Sequence, residues 1–208
     1  LPSDLRVIAI DLRGFGDSES LPVDASRGVR DFSDDVRATL LELGVESAHF
    51  VGWGLGAAVV LQYALDFPAQ SLALESGLGA GFTVDPDFIE RLTAGDTSSE
   101  ASTSPRSVFR SSYVAESYTS EHEDVWIDAM LSTSTAEGNY PGGVLDALAS
   151  FDASGIVELE PKPPVLWIHG IADALLPEID IAQTRTILDA YSAAGGEVHE
   201  LALDGVGH

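Results

Sequence analysis

Short apolar runs rich in Val, Ile, Ala and Leu alternate along the chain with longer segments of helical period. That pattern predicts a mostly parallel sheet covered by helices. Five runs read as strands, at residues 6–10, 48–51, 72–75, 165–169 and 198–203. Between the first two, Phe32, Val36, Leu40 and Leu43 recur at helical spacing, so 32–43 can lay one apolar face on the sheet, and Gly44 supplies the stop. Residues 57–67 read as a buried helix closed by Pro68, and 179–194 as a later one closed by Gly195 and Gly196. The rhythm breaks from about Gly77 to Gly155, where Ser/Thr-rich turns at 97–104 and scattered aromatics interrupt helical pieces. Turn signals at Ser104-Pro105 and across 139–143 mark its interior. The predicted organisation is a core domain in two parts, 1–76 and 156–208, with an insertion at 77–155.

The most informative segment is His49-Phe50-Val51-Gly52-Trp53-Gly54-Leu55-Gly56-Ala57-Ala58, a strand that runs through a glycine-rich turn straight into a helix. Small residues suit a turn where strand and helix backbones nearly touch. The nucleophile elbow has the pattern Gly-x-Nu-x-Gly, with its middle residue strained and the next backbone N–H aimed at the oxyanion. Gly52 and Gly56 match the outer glycines, Leu55 matches the oxyanion donor, and Gly54 stands where the nucleophile belongs. The frame is complete and the attacking atom is absent.

Three further segments agree with that reading in chain order: Asp11-Leu12-Arg13-Gly14-Phe15-Gly16-Asp17-Ser18, His169-Gly170-Ile171-Ala172-Asp173 and Asp204-Gly205-Val206-Gly207-His208. On these four motifs, which span nearly the whole chain, the sequence resembles the α/β-hydrolase family. The resemblance implies a three-layer α/β-hydrolase fold: a mostly parallel sheet with helices on both faces and a helical cap as the insertion. It also implies truncation at both ends, since family members begin with three further strands and continue past the histidine with a helix.

By the same resemblance, His208 is the base, Asp173 the acid that orients it, and Glu75 the alternative acid position used by some relatives. Ser18 and Ser76 read as structural rather than as replacements for the nucleophile. Gly54 then has three readings: a binding protein that kept the pocket, an active enzyme's serine replaced, or a non-acylating enzyme in which His208 acts on water or substrate. Epoxide and dehalogenation chemistry would need a carboxylate at position 54. The implied activity is hydrolysis of carboxylic esters or similar acyl substrates by descent, with this form inactive or weakly active.

The insertion offers Phe82, Phe109, Tyr113, Tyr118 and Trp126 as aromatics, which pack a cap or line a pocket. Trp53, Tyr113 and Trp126 are the expected substrate contacts, and the partner they suit is a small, mainly apolar molecule. Composition narrows the alternatives further. With 34 acidic residues against 10 basic ones the formal charge is −24, which disfavours nucleic acid and anionic lipid as partners. There is no cysteine, so thiolate metal sites and thiol nucleophiles are excluded.

No apolar run reaches the length of a membrane span, and the expected location is cytoplasmic. Glu121-His122-Glu123-Asp124 groups a histidine with carboxylates, but neighbours on a helix point apart, so the run reads as a solvated face and no metal is expected. Gly52–Gly56 lacks the third glycine of a dinucleotide fingerprint and the Lys-Ser/Thr of a phosphate loop, and no cofactor is expected.

Overall fold

The computed structural model describes residues 5–77, 84–115, 117–170 and 178–203. Its centre is a wholly parallel sheet of four strands in sequential order: β1 (Ala48–Trp53), β2 (Ser71–Gly77), β3 (Val165–Gly170) and β4 (Val198–Leu203). Each lies where a predicted strand was expected, three of them longer by one to three residues. The fifth prediction, 6–10, fails: that segment forms no ladder. Ile8 and Ile10 pack on the core while Leu5 and Val7 face solvent. Burial of every second side chain requires an extended chain, and hydrogen-bonded pairing is a separate condition that the apolar pattern does not report.

Three long helices flank the strands: α1 (Arg30–Glu42), α2 (Leu55–Asp66) and α7 (Glu178–Ala193). α1 begins two residues before the predicted start, with Asp31 in its first turn where the positive end of the helix dipole favours an acid. It ends before Leu43, so that residue caps the helix and is exposed instead of completing the apolar face. Phe32, Val36 and Leu40 are buried in the core that α1 shares with α2. α2 is buried along its whole middle, from Ala57 to Ala64, between α1 and strands β1 and β2. Its all-round apolar composition follows from that position.

Between β2 and β3 the chain adds α3 (Pro86–Thr93), α4 (Pro105–Val108), α5 (Glu123–Leu131) and α6 (Gly142–Ala149). Asp85 and Ser104 cap α3 and α4 by accepting from the Asp87 and Ser107 amides, and proline follows each cap. Backbone bonds tie this segment to the core. Ser134 N–H donates to the Gly14 carbonyl at 2.7 Å and Val23 N–H to the Gly138 carbonyl at 2.8 Å.

The loop containing Gly14 is itself clamped on α1. Arg13 donates to both carboxylate oxygens of Asp35, at 2.6 and 2.7 Å. Beside it Asp31, only 6% exposed, accepts from the Asp24 amide at 2.8 Å and from Arg27. No helix among the described residues is long and apolar enough to cross a membrane.

Phe32 is fully buried where α1 meets the rest of the core. Phe32→Ala should therefore cost about 3–5 kcal/mol of unfolding free energy, read as a lower urea midpoint at unchanged slope.

Candidate active site

The site is built at the carboxyl end of β1, where the strand turns into α2 through a single residue. Gly54 stands there with φ 56° and ψ −121°, outside the region that side-chain-bearing residues favour. The turn is closed by the Ala57 amide donating to the Gly54 carbonyl at 3.0 Å. Its tightness comes from Gly52, where a Cβ would meet the Gly56 carbonyl carbon at 2.5 Å and Ala57 Cα at 2.8 Å. Gly56 is not constrained in this way: among the described residues nothing lies within 4 Å of its would-be Cβ. Leu55, the first helical residue, has an amide that helix geometry leaves without an intrahelical acceptor, at the end of α2 where the dipole favours negative charge.

Parallel strands deliver their successors to this same edge. Trp53 pairs with Gly77, the last residue of β2, and β3 and β4 end at Gly170 and Leu203. Asp173 and His208 follow three and five residues after those ends and lie outside the described residues, as does Phe82. Glu75 pairs with Val51, three positions before Gly54 and about 10 Å down the strand.

Of the expected substrate contacts, Trp53 and Tyr113 meet directly, edge to face at 5.9 Å. Trp53 is 56% exposed. Tyr113 closes a π-helical turn, Phe109–Tyr113, and stacks on Phe109 at 6.3 Å. Among the described residues Trp126 reaches the pair through Phe109, at 5.6 Å, and also stacks on Tyr118. Tyr140 was missed by the sequence reading, which saw only the turn signal of its Pro-Gly-Gly neighbours. Burial pushes its phenol up to about 12, and the proximity of Tyr113 adds to the shift. Burial likewise raises the Tyr113 phenol.

The acidic run at 121–124 is exposed at Glu121, His122 and Asp124, as a solvated face requires, and it also makes ion pairs. α5 starts only at Glu123, and that carboxylate accepts from Arg106 at 2.5 Å and from Arg110 at 2.8 and 3.1 Å. Asp124 takes the other arm of Arg106 at 2.7 Å. Hydrogen bonds from Arg110 and then Arg106 hold the Glu123 carboxyl below its ordinary range. Through Glu123 and Asp124 the run is also half of an ionic hub binding α5 to the turn that carries Tyr113. No group of three or more metal-ligating side chains occurs among the described residues.

The remaining cations are engaged as well. Arg30 holds Asp66, Arg91 holds Asp87 and Asp96, Lys162 holds Glu160 and Arg185 holds Glu200. Arg6 donates to the Leu43 carbonyl, and Arg37 lies over the Phe67 ring at 4.9 Å. A small apolar crevice lined by Leu61, Ile156, Val165, Trp167 and Leu188 opens between α2, β3 and α7, towards the opposite edge of the sheet from Gly54.

The family model for the alpha/beta hydrolase fold matches residues 1–187. The chain belongs to the α/β-hydrolase family. Over 79 residues it is 35% identical to a 2-hydroxy-6-oxo-6-phenylhexa-2,4-dienoate hydrolase of Burkholderia cepacia, covering 36% of this chain and 27% of that protein. Over 96 residues it is 33% identical to the dihydrolipoyllysine-residue acetyltransferase component of the acetoin cleaving system of Cupriavidus necator, covering 45% and 25%. These matches span about a quarter of the relatives' own length. Among solved structures, an esterase from Exiguobacterium antarcticum superposes with TM-score 0.65 at 14% identity, over 95% of this chain and 72% of that one. The dienoate hydrolase of Rhodococcus sp. strain RHA1 gives 0.61 at 18% identity, over 95% and 71%. At such identities the likeness is one of fold.

Gly52→Ala should destabilise by about 1–3 kcal/mol, because the obstructing atoms are backbone and cannot rotate away. Tyr140 supplies a pH signature. Its folded-state pKa lies above the unfolded value near 10, so its contribution to stability is whole below about pH 10 and is lost as pH rises towards 12. Melting temperature measured across that range should fall less steeply in Tyr140→Phe than in the parent.

Proposed function

We propose that this chain is an acyl-ester hydrolase by descent whose nucleophile position has been vacated, leaving a pocket that binds its substrate class with little or no turnover. The observation that carries the reading is the backbone of Gly54, which keeps the left-handed φ of a nucleophile turn while supplying no attacking atom. In a serine-bearing form, His208 would take the hydroxyl proton as the ester is attacked. Asp173 would fix the imidazole tautomer, and the Leu55 amide would stabilise the developing oxyanion. The backbone register of Glu75 with Val51, three positions before Gly54, favours Asp173 over it as the acid.

With glycine at 54 the acylation step is lost, and what remains is binding together with stabilisation of negative charge at the helix start. Relatives named as hydrolases, and neighbours described as an esterase and a dienoate hydrolase, support acyl chemistry as the ancestral reaction. The substrate contact is assigned to Trp53 and Tyr113, whose rings offer a mainly apolar surface next to the turn. Trp126 supports that surface through Phe109.

Gly54→Ser should produce an acyl-enzyme burst and turnover on chromogenic short-chain esters, while the parent stays near background. Placing a side chain at this φ should cost about 1–3 kcal/mol, lowering the melting temperature by about 2–4 °C for each kcal/mol. Silence from a folded Gly54→Ser protein across the ester panel would overturn the esterase reading.

A further inference from the structure

We infer that the pocket beside Gly54 selects uncharged acyl compounds and rejects carboxylates, a specificity that rests on the pocket reading above. The chain has ten lysines and arginines, and all ten lie among the described residues. Eight are bound to carboxylates of the protein itself.

The other two sit far from the turn. Arg37 lies over Phe67, just past the end of α2 opposite Gly54, and a helix of 12 residues separates those ends by about 18 Å. Arg6 is bonded to the Leu43 carbonyl, at the end of α1 that leads into the start of β1. A substrate carboxylate carried against Trp53 and Tyr113 would lose water and find no lysine or arginine among the described residues that is free to receive it.

Arg110 is the cation nearest the aromatic wall, three residues from Tyr113 on the same turn. It is committed to Glu123 through two hydrogen bonds, and Glu123 in turn anchors α5. Turning Arg110 towards a ligand would forfeit both bonds. The phenols of Tyr113 and Tyr140 lie near one another on this side and are neutral, burial raising both further above the ordinary value near 10. A phenol donates to a neutral ester or ketone oxygen without needing a counter-charge. The net charge of −24 adds a long-range barrier against anions.

Methyl benzoate and benzoate share a ring and a carbonyl and differ in charge, so their binding to the parent protein tests the inference without any need for turnover. Titration calorimetry should be paired with tryptophan fluorescence, using Trp53→Phe to assign the signal to the turn. Measurement at low salt and at about 1 M NaCl, where the screening length is about 3 Å, separates the local lack of a cation from the overall field. Methyl benzoate should bind at least about tenfold tighter than benzoate in both conditions. Benzoate binding as tightly as the ester at high salt would overturn the charge selectivity and leave the pocket reading standing. Loss of that binding in Arg110→Gln would then identify the arginine that had left Glu123. If neither compound perturbs the protein, the pocket reading falls and this inference falls with it.

Discussion

The close approach of the β1 and α2 backbones at Gly52 decides the geometry of everything around the turn. Because the would-be Cβ of Gly52 is blocked by main-chain atoms of Gly56 and Ala57, the strand can pass directly into the helix with one intervening residue. That residue is forced to a positive φ, and the helix start is forced to face the carboxyl edge of the sheet. The exposed amide of Leu55, the position of Trp53 and the contact of Trp53 with Tyr113 all follow from this one backbone constraint. Position 54 inherits its conformation from its neighbours, so the conformation persists whether or not a nucleophile is present.

Charge plays a second organising part, and chiefly an internal one. Arg13 clamps the loop before α1, and Arg106 with Arg110 clamps α5 to the aromatic turn. In a chain so rich in acids, cations are scarce, and the fold uses them as cross-links between elements. Exposed pairs of this kind are individually weak. Those made by Arg13 and Arg106 join segments distant in sequence, so their value lies in fixing how the parts around the site are arranged.

Much of this was legible in the sequence. Four strands, the three long helices and the turn at Gly54 were readable because each is a local pattern: apolar runs bounded by turns, helical spacing, glycines at fixed offsets. The failure at residues 6–10 has a physical source, since hydropathy reports burial and cannot report whether a backbone finds a ladder partner. The acidic run at 121–124 was readable as a solvated face, but its ion pairs were not, because Arg106 and Arg110 lie 13 to 18 residues away and no local rule joins them. Tyr140 was missed for a similar reason. Its proximity to Tyr113 is a tertiary fact, while its local signal was only that of a turn. The assignments of Asp173 and His208 rest on motif and on the strands that lead to them.

The backbone bonds from Ser134 to Gly14 and from Val23 to Gly138 bear on how anything reaches the turn. They fasten the inserted segment to the core near residues 134–138, downstream of the Phe109–Tyr113 turn, and that turn meets the core through the ring contact of Tyr113 with Trp53. The two rings assigned to a ligand thus come from different parts of the chain, Trp53 from the end of β1 and Tyr113 from the insertion, so the ligand surface is itself a seam between them.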